Sequence, residues 1–179
     1  MFIKSNSITG DFTAVLAYVD DLLLTGNQIC HIQAVKTSLH KAFTIKDLGE
    51  LAYFLGIEVS RTDSGILLNQ RKYILDLLKD CNMEDCKSVT VPFKHGVHLG
   101  VKDTPLFEDV EFYRRIVGKL LYLNMTRPDI SYTVQQLSQF LNNPAVSHFQ
   151  AAMHVLQYLK GSINAVSYTH LTLPTIYSV

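Results

Sequence analysis

The sequence is short of several things, and each shortage excludes a class of function. It has no net charge, because 16 basic residues balance 16 acidic ones. Affinity for nucleic acid must then come from local clusters, not from the field of the whole molecule. Cysteine is scarce: Cys30, Cys81 and Cys86 form an odd set with no CxxC pair, which fits a reducing compartment. No His/Cys pair follows Cys81 and Cys86 at finger spacing, so they do not read as a zinc site. No apolar run is long enough to span a bilayer, and no membrane partner is expected. The opening "MFIKSNS" lacks the apolar core of a signal peptide. What remains is 179 residues, 47% of them hydrophobic and 18% charged, enough to fold as one domain or two small ones.

The first informative stretch is "FTAVLAYVDDLLLTGN", residues 12–27. Residues 12–19 are a continuous apolar run rich in β-formers and predict a buried strand. Residues 22–25 predict a second. Asp20 and Asp21 fall between them, so the unit reads as a tight hairpin with both acids at its turn, ended by "GN". Burying unpaired charge is expensive, so the pair needs a reason. One reading is a solvated turn, where Asp is common. The other is a divalent cation: Mg²⁺ takes a few carboxylate oxygens together with water and substrate phosphates, and such sites run phosphoryl or nucleotidyl transfer.

Downstream, Ile29, Ile32, Val35, Leu39 and Phe43 are spaced as one apolar helix face. "YFLGIEVS" and "GILLNQ" flank "RTDSG" as a hairpin in which Gly65 can take positive φ. "RKYILDLLKD" predicts a helix with Tyr73, Ile74, Leu77 and Leu78 inward. Residues 81–108 read as a loop, with one short strand at "SVTVPF". Three helices follow: over 110–125, from Pro128 at a first turn, and from Ser147 with Gln150 as a capping box. Strands first and helices later give an α+β class in two parts.

"YVDD", Tyr18 to Asp21, between apolar strands resembles the motif of reverse transcriptases. "LLLTGN", "FTIKDLGELAYFLGIEVSR", "GILLNQRKYILDLLKD", "YRRIVGKLLYLNMTRPDISYTVQQLSQFLNNP" and "HFQAAMHVLQYLKGS" follow in the order of the Ty1/copia-type retrotransposon reverse transcriptase. The resemblance covers about residues 2–164. It implies a fragment of a Pol polyprotein, an RNA-directed DNA polymerase that uses an RNA template, a DNA primer and deoxynucleoside triphosphates with Mg²⁺ or Mn²⁺. It also implies a particle in the cytoplasm of the host cell. The implied fold is a partial polymerase palm of antiparallel hairpins plus a helix over residues 1–80. A linker at 81–108 and a helical thumb-like region at 109–164 follow.

Carried over residue by residue, Asp20 becomes a catalytic metal-binding carboxylate and Asp21 its partner. Tyr18 and Val19 would lie near the primer end and the incoming nucleotide. Phe54, Leu55 and Gly56 fall in the hairpin that grips the primer; for Gly56 alone a strand bulge explains the residue equally. Lys46 lies where polymerases often place a proton donor, though an exposed lysine beside a turn needs no such role. Arg114, Arg115, Lys119 and Arg127 form a local basic cluster. It would hold the phosphate backbone without reading sequence, unless it is an ordinary solvated helix face. His95, His98, His148 and His154 have no ligand-like spacing.

The family's third carboxylate lies on a strand well upstream of YVDD, and nothing among residues 1–17 supplies it. The chain therefore reads as beginning mid-palm and as inactive alone; the competing reading is a translated remnant with at most weak, nonspecific nucleic-acid binding. After "YLKGSIN" the pattern changes to "AVSYTHLTLPTIYSV", residues 165–179. That string resembles the in-frame translation of a sequencing-library adapter, and it is expected to make few contacts with the core.

Overall fold

The fold is taken from a computed structural model that describes residues 1–63, 65–94, 99–100, 104–169 and 175–178. The chain divides into two compact units, Met1–Leu67 with Tyr168–Val179, and Leu68–Ser167. The α+β class is observed.

The first unit is built on antiparallel strands. β1 (Phe2–Ser5), β2 (Phe12–Tyr18) and β3 (Asp21–Gly26) form a meander. Helix α1 (Ile29–Ala42) follows, then the short strands β4 (Gly49–Glu50) and β5 (Tyr53–Phe54), then β6 (Ile57–Thr62) and β7 (Gly65–Asn69). Near the C-terminus lie β8 (Ser167–Thr169) and β9 (Thr175–Ser178). One sheet has the order β1-β2-β3-β9-β4 and a second the order β5-β6-β7-β8. Strand β1 was not expected from sequence: its four residues are all exposed and carry no alternation.

Leu24 of β3 and Ile32 of α1 are fully buried, with Val15, Leu22, Val35, Leu39 and Ile45 packed around them. Ile32, Val35 and Leu39 make the expected helical stripe. Its ends do not hold: Ile29 is 58% and Phe43 64% exposed. The apolar face therefore packs only over its middle, where β3 lies beneath it. Lys36, with a side chain only 8% exposed, donates to both oxygens of Asp47 at 2.9 Å. That contact ties α1 to the segment leading into β4, and Lys36 holds the Asp47 carboxyl below its ordinary value.

One expectation is overturned. The tail was expected to stay clear of the core, yet β9 pairs antiparallel with β3 (Leu23↔Ser178 to Gly26↔Thr175) and with β4 (Gly49↔Ser178, Glu50↔Tyr177). The reason is general. An edge strand presents a row of unpaired N–H and C=O groups, and a segment with strand-forming Thr, Ile and Tyr will satisfy them whatever its origin.

The second unit is helical. It holds α2 (Arg71–Asp80), α3 (Val110–Leu123), a 3-10 turn (Pro128–Ile130), α4 (Ser131–Ser138) and α5 (Val146–Gly161). The sequence groups helix α2 with the preceding region, as the last element of residues 1–80. Instead its Ile74, Leu77 and Leu78 are buried in one core with Tyr113, Ile116, Val117 and Leu120 of α3, Val134 and Leu137 of α4, and Val155, Leu156 and Leu159 of α5. The Tyr113 hydroxyl donates to the Leu137 carbonyl at 2.8 Å, and burial pushes its pKa up.

Two local expectations are corrected here. "SVTVPF" forms no strand, and Val89 N–H donates to the Gln157 carbonyl instead. Helix α5 begins at Val146, not after Ser147, and His148 does the capping: its Nδ1 accepts from Ala145 N–H at 2.8 Å. Its Nε2 lies 2.7 Å from the Leu99 carbonyl, and the ring stacks on Phe140 at 3.9 Å. Meanwhile Thr104 Oγ1 accepts from Ser147 N–H at 3.2 Å.

Candidate active site

The carboxylate pair lies at the tip of the β2–β3 hairpin. Cross-strand pairing runs from Thr13↔Gly26 to Tyr18↔Asp21, so the connecting loop is Val19 and Asp20 alone. The turn was expected to contain both acids; Asp21 is in fact the first residue of β3. The desolvation problem disappears, because both acids are exposed. Tyr18 and Val19 beside them are 56% and 86% exposed.

Two-residue hairpin loops need positive φ at the first central residue, at both in one type. Val19 supplies it, with φ 50°. For a β-branched residue this is a strained conformation, costing on the order of 1–3 kcal/mol. The remainder of the hairpin must impose it, and the structure shows how. Thirteen-to-eighteen register is continuous, and the far end is locked by two residues that the sequence reading treated only as a break. A Cβ on Gly26 would stand 2.7 Å from the Phe12 carbonyl oxygen, so only glycine allows the strands this close. Asn27 accepts from Phe12 N–H at 2.9 Å through Oδ1 and donates from Nδ2 to the Gly10 carbonyl at 3.1 Å. An Asn directly after a strand-ending Gly was the available signal.

The second hairpin joins β5 to β6 through Leu55 and Gly56, with Phe54 paired to Ile57 and Tyr53 to Glu58. Both loop residues have positive φ, 49° and 79°, the signature of a type I′ turn. Phe54, Leu55 and Gly56 are thus brought together at one turn, but in the other sheet from Asp20 and Asp21. Lys46 is exposed between α1 and β4.

The four basic residues of the helical unit do not form a free cationic surface. Arg114 and Arg115 are exposed on α3. Arg114 Nε donates to the Leu141 carbonyl at 2.7 Å, and the Arg115 guanidinium lies 5.0 Å from the Phe112 ring centre. Lys119 pairs with Asp80, which it holds below the usual carboxylate value. Arg127 departs furthest from expectation. It is 3% exposed, and its guanidinium donates to both Asp129 oxygens, at 3.0 and 2.7 Å, and to the Ser162 carbonyl and hydroxyl, at 2.9 and 2.7 Å. Its donors are engaged inside the protein, so it is corrected from a phosphate contact to a buried strut.

Asp20 and Asp21 offer the hard oxygen donors that Mg²⁺ prefers, and one or two carboxylates plus substrate phosphates is its ordinary protein environment. Among the described residues no group of three or more His, Cys, Asp or Glu side chains could hold a metal. His95 and His98 lie outside the described residues.

Comparison with known proteins decides the family. A family model described as "Reverse transcriptase (RNA-dependent DNA polymerase)" matches residues 1–95. The chain belongs to the reverse transcriptase family. It is 46% identical over 150 residues to the Retrovirus-related Pol polyprotein from transposon RE1 of Arabidopsis thaliana, covering 84% of this chain and 10% of that protein. Against the Pol polyprotein from transposon TNT 1-94 of Nicotiana tabacum it is 35% identical, covering 85% of this chain and 12% of the relative. An uncharacterized mitochondrial protein of Arabidopsis thaliana is 39% identical, with 87% of this chain and 65% of the relative covered. These relatives place the chain among copia-type reverse transcriptases, and it spans about a tenth of the Pol polyproteins it matches. No solved structure matches it. No helix among the described residues of this reverse transcriptase chain is long and apolar enough to cross a membrane.

Proposed function

We propose that this chain carries the carboxylate hairpin of a nucleotidyl-transferring site, within an enzyme that extends a DNA primer on an RNA template. The observation that carries the reading is the β2–β3 tip: a strained two-residue turn, locked at its base, holds two exposed carboxylates in the segment matched to the reverse transcriptase family. Asp20 and Asp21 would hold the cation. When bound, Mg²⁺ neutralises and orients the reacting phosphates. Tyr18 and Val19, flanking the acids, would border the primer end and the incoming nucleotide. Phe54, Leu55 and Gly56 would form the primer-gripping turn. Of the basic residues, Arg114, Arg115 and Lys119 remain candidates for the phosphate backbone, where contacts position without reading sequence. In this reading the strands and α1 of residues 1–80 are part of a palm, with α2 packed into the helical unit, 81–108 are a linker and 109–164 a thumb-like region within a Pol polyprotein, working in a cytoplasmic particle.

One observation favours a second reading for the chain by itself. Two carboxylates with no third metal ligand among the described residues leave the site short of donors. Misplacing reacting groups by about 1 Å costs on the order of a hundredfold in rate. The chain alone is therefore expected to show no primer extension with Mg²⁺ or Mn²⁺, and at most weak, salt-sensitive binding to nucleic acid. A homopolymer-template extension assay tests this. Robust extension by the isolated chain would overturn the two-carboxylate argument.

A further inference from the structure

A cleft in the helical unit, lined by none of the residues discussed as catalytic, has the makings of a nucleotide site. It encloses about 420 Å³ and is lined by Phe93, Lys94, Ser147, Gln150, Ala151, Met153, His154 and Gln157. The volume falls within the common range for small-ligand pockets. Phe93, Ala151 and Met153 give it an apolar wall. Gln150, Gln157 and Ser147 supply amide and hydroxyl groups, and Lys94 supplies a cation. Among the described residues no carboxylate lines it. Phe93 also meets Tyr132 edge to face at 6.1 Å, and Tyr132 is itself 67% exposed.

His154 adds an independent observation. Its Nε2 is shielded from solvent and has no hydrogen-bond partner among the described residues. A buried polar atom without a partner costs about 1–3 kcal/mol, so the site gains if something polar reaches it. Contrast His148, six residues earlier on α5, whose two nitrogens are both engaged.

We propose that this cleft binds one nucleotide unit of a single-stranded nucleic acid, with the base against Phe93 and Met153, its polar edge met by Gln150, Gln157 and His154, and the phosphate met by Lys94. The combination explains why an aromatic-walled cleft carries amides and a lysine. Aromatic faces accept any base, amide side chains can pair with base edges, and a lysine meets phosphate as a point charge. The inference rests on the nucleic-acid reading of the family but not on the Asp20–Asp21 site, so the two fail separately.

The test is titration of the full chain with a short fluorescent oligo(dT), read by anisotropy at two salt concentrations, with inorganic phosphate and heparin as competitors. The proposal expects saturable binding that Phe93→Ala and Gln150→Ala each weaken by about tenfold. Phosphate should compete poorly. Gln150 is exposed on α5, so its variant should fold even where loss of Phe93 disturbs packing. Circular dichroism of each variant checks the fold. Binding unchanged in Gln150→Ala with retained structure, no saturable binding, or full displacement by heparin with no effect of either variant would each overturn it.

Discussion

Val19 occupies a backbone conformation that its own side chain resists, with φ 50° at 86% exposure. Nothing in its surroundings requires a branched side chain to fold; the hairpin register requires the turn. Glycine relieves the strain and gives back part of the gain in unfolded-state entropy, about 0.5–1 kcal/mol. Val19→Gly is therefore expected to raise stability by about 1 kcal/mol, read by urea denaturation, and a less stable variant would show that the turn is not strained. A less strained turn, with glycine at this position, is not used at the tip that holds the two acids. At this scale the sequence was legible where chemistry is local: adjacent acids between apolar runs predicted a hairpin tip. It was not legible where a side chain acts across the chain. Asn27, locking a backbone fifteen residues earlier, and Arg127, drawn inward by Asp129 and Ser162, look in sequence like a turn residue and a surface cation.

Among elements, the junction between the end of α3 and the end of α5 is held by that arginine. Arg127 bridges Asp129 and Ser162, Tyr158 donates to Asp129 at 2.7 Å, and the guanidinium lies 5.5 Å from the Tyr158 ring centre. Burial raises the Asp129 carboxyl pKa, but hydrogen bonds from Arg127 and Tyr158 outweigh it, and the net shift is downward. A folded-state value below the unfolded one contributes stability that is complete above the ordinary carboxylate value of 3.8 and is lost as pH falls through the lower folded value. Asp129→Asn should cost on the order of 2 kcal/mol at neutral pH, less than for a fully buried pair because Asp129 is partly exposed. It should also flatten the loss of stability below about pH 4. Denaturation midpoints of both proteins across that range check it, and parallel acid curves would contradict it. The helices themselves were readable because apolar spacing survives in the packed faces of α2 to α5. Their ends were not. The start of α5 depends on His148 turning back to Ala145, and the placement of α2 depends on a core assembled from residues up to 85 positions away.

For the whole molecule, the two hairpins and the helical unit were visible as α+β, while the sheet order was not, because strand β9 comes from the far end of the chain. Its pairing with β3 reports an open edge, not the origin of residues 165–179. The proposed adapter origin predicts that the source locus diverges from this sequence after about Asn164. Amplification across that point settles it, since a locus that itself encodes "VSYTHLTLPT" contradicts the proposal. The central claim is that Asp20 and Asp21 are the carboxylates of a polymerase site, and it is tested most directly outside the isolated chain. Residues 1–164 should be joined to the upstream and downstream segments of an intact copia-type Pol polyprotein and assayed for Mg²⁺-dependent primer extension on a homopolymer template. The account predicts extension by the joined protein and its abolition by Asp20→Asn, because an amide is a poorer ligand for a hard cation and removes a charge. Asp21→Asn should be no more damaging. Extension that continues unchanged in Asp20→Asn would contradict the assignment of the hairpin.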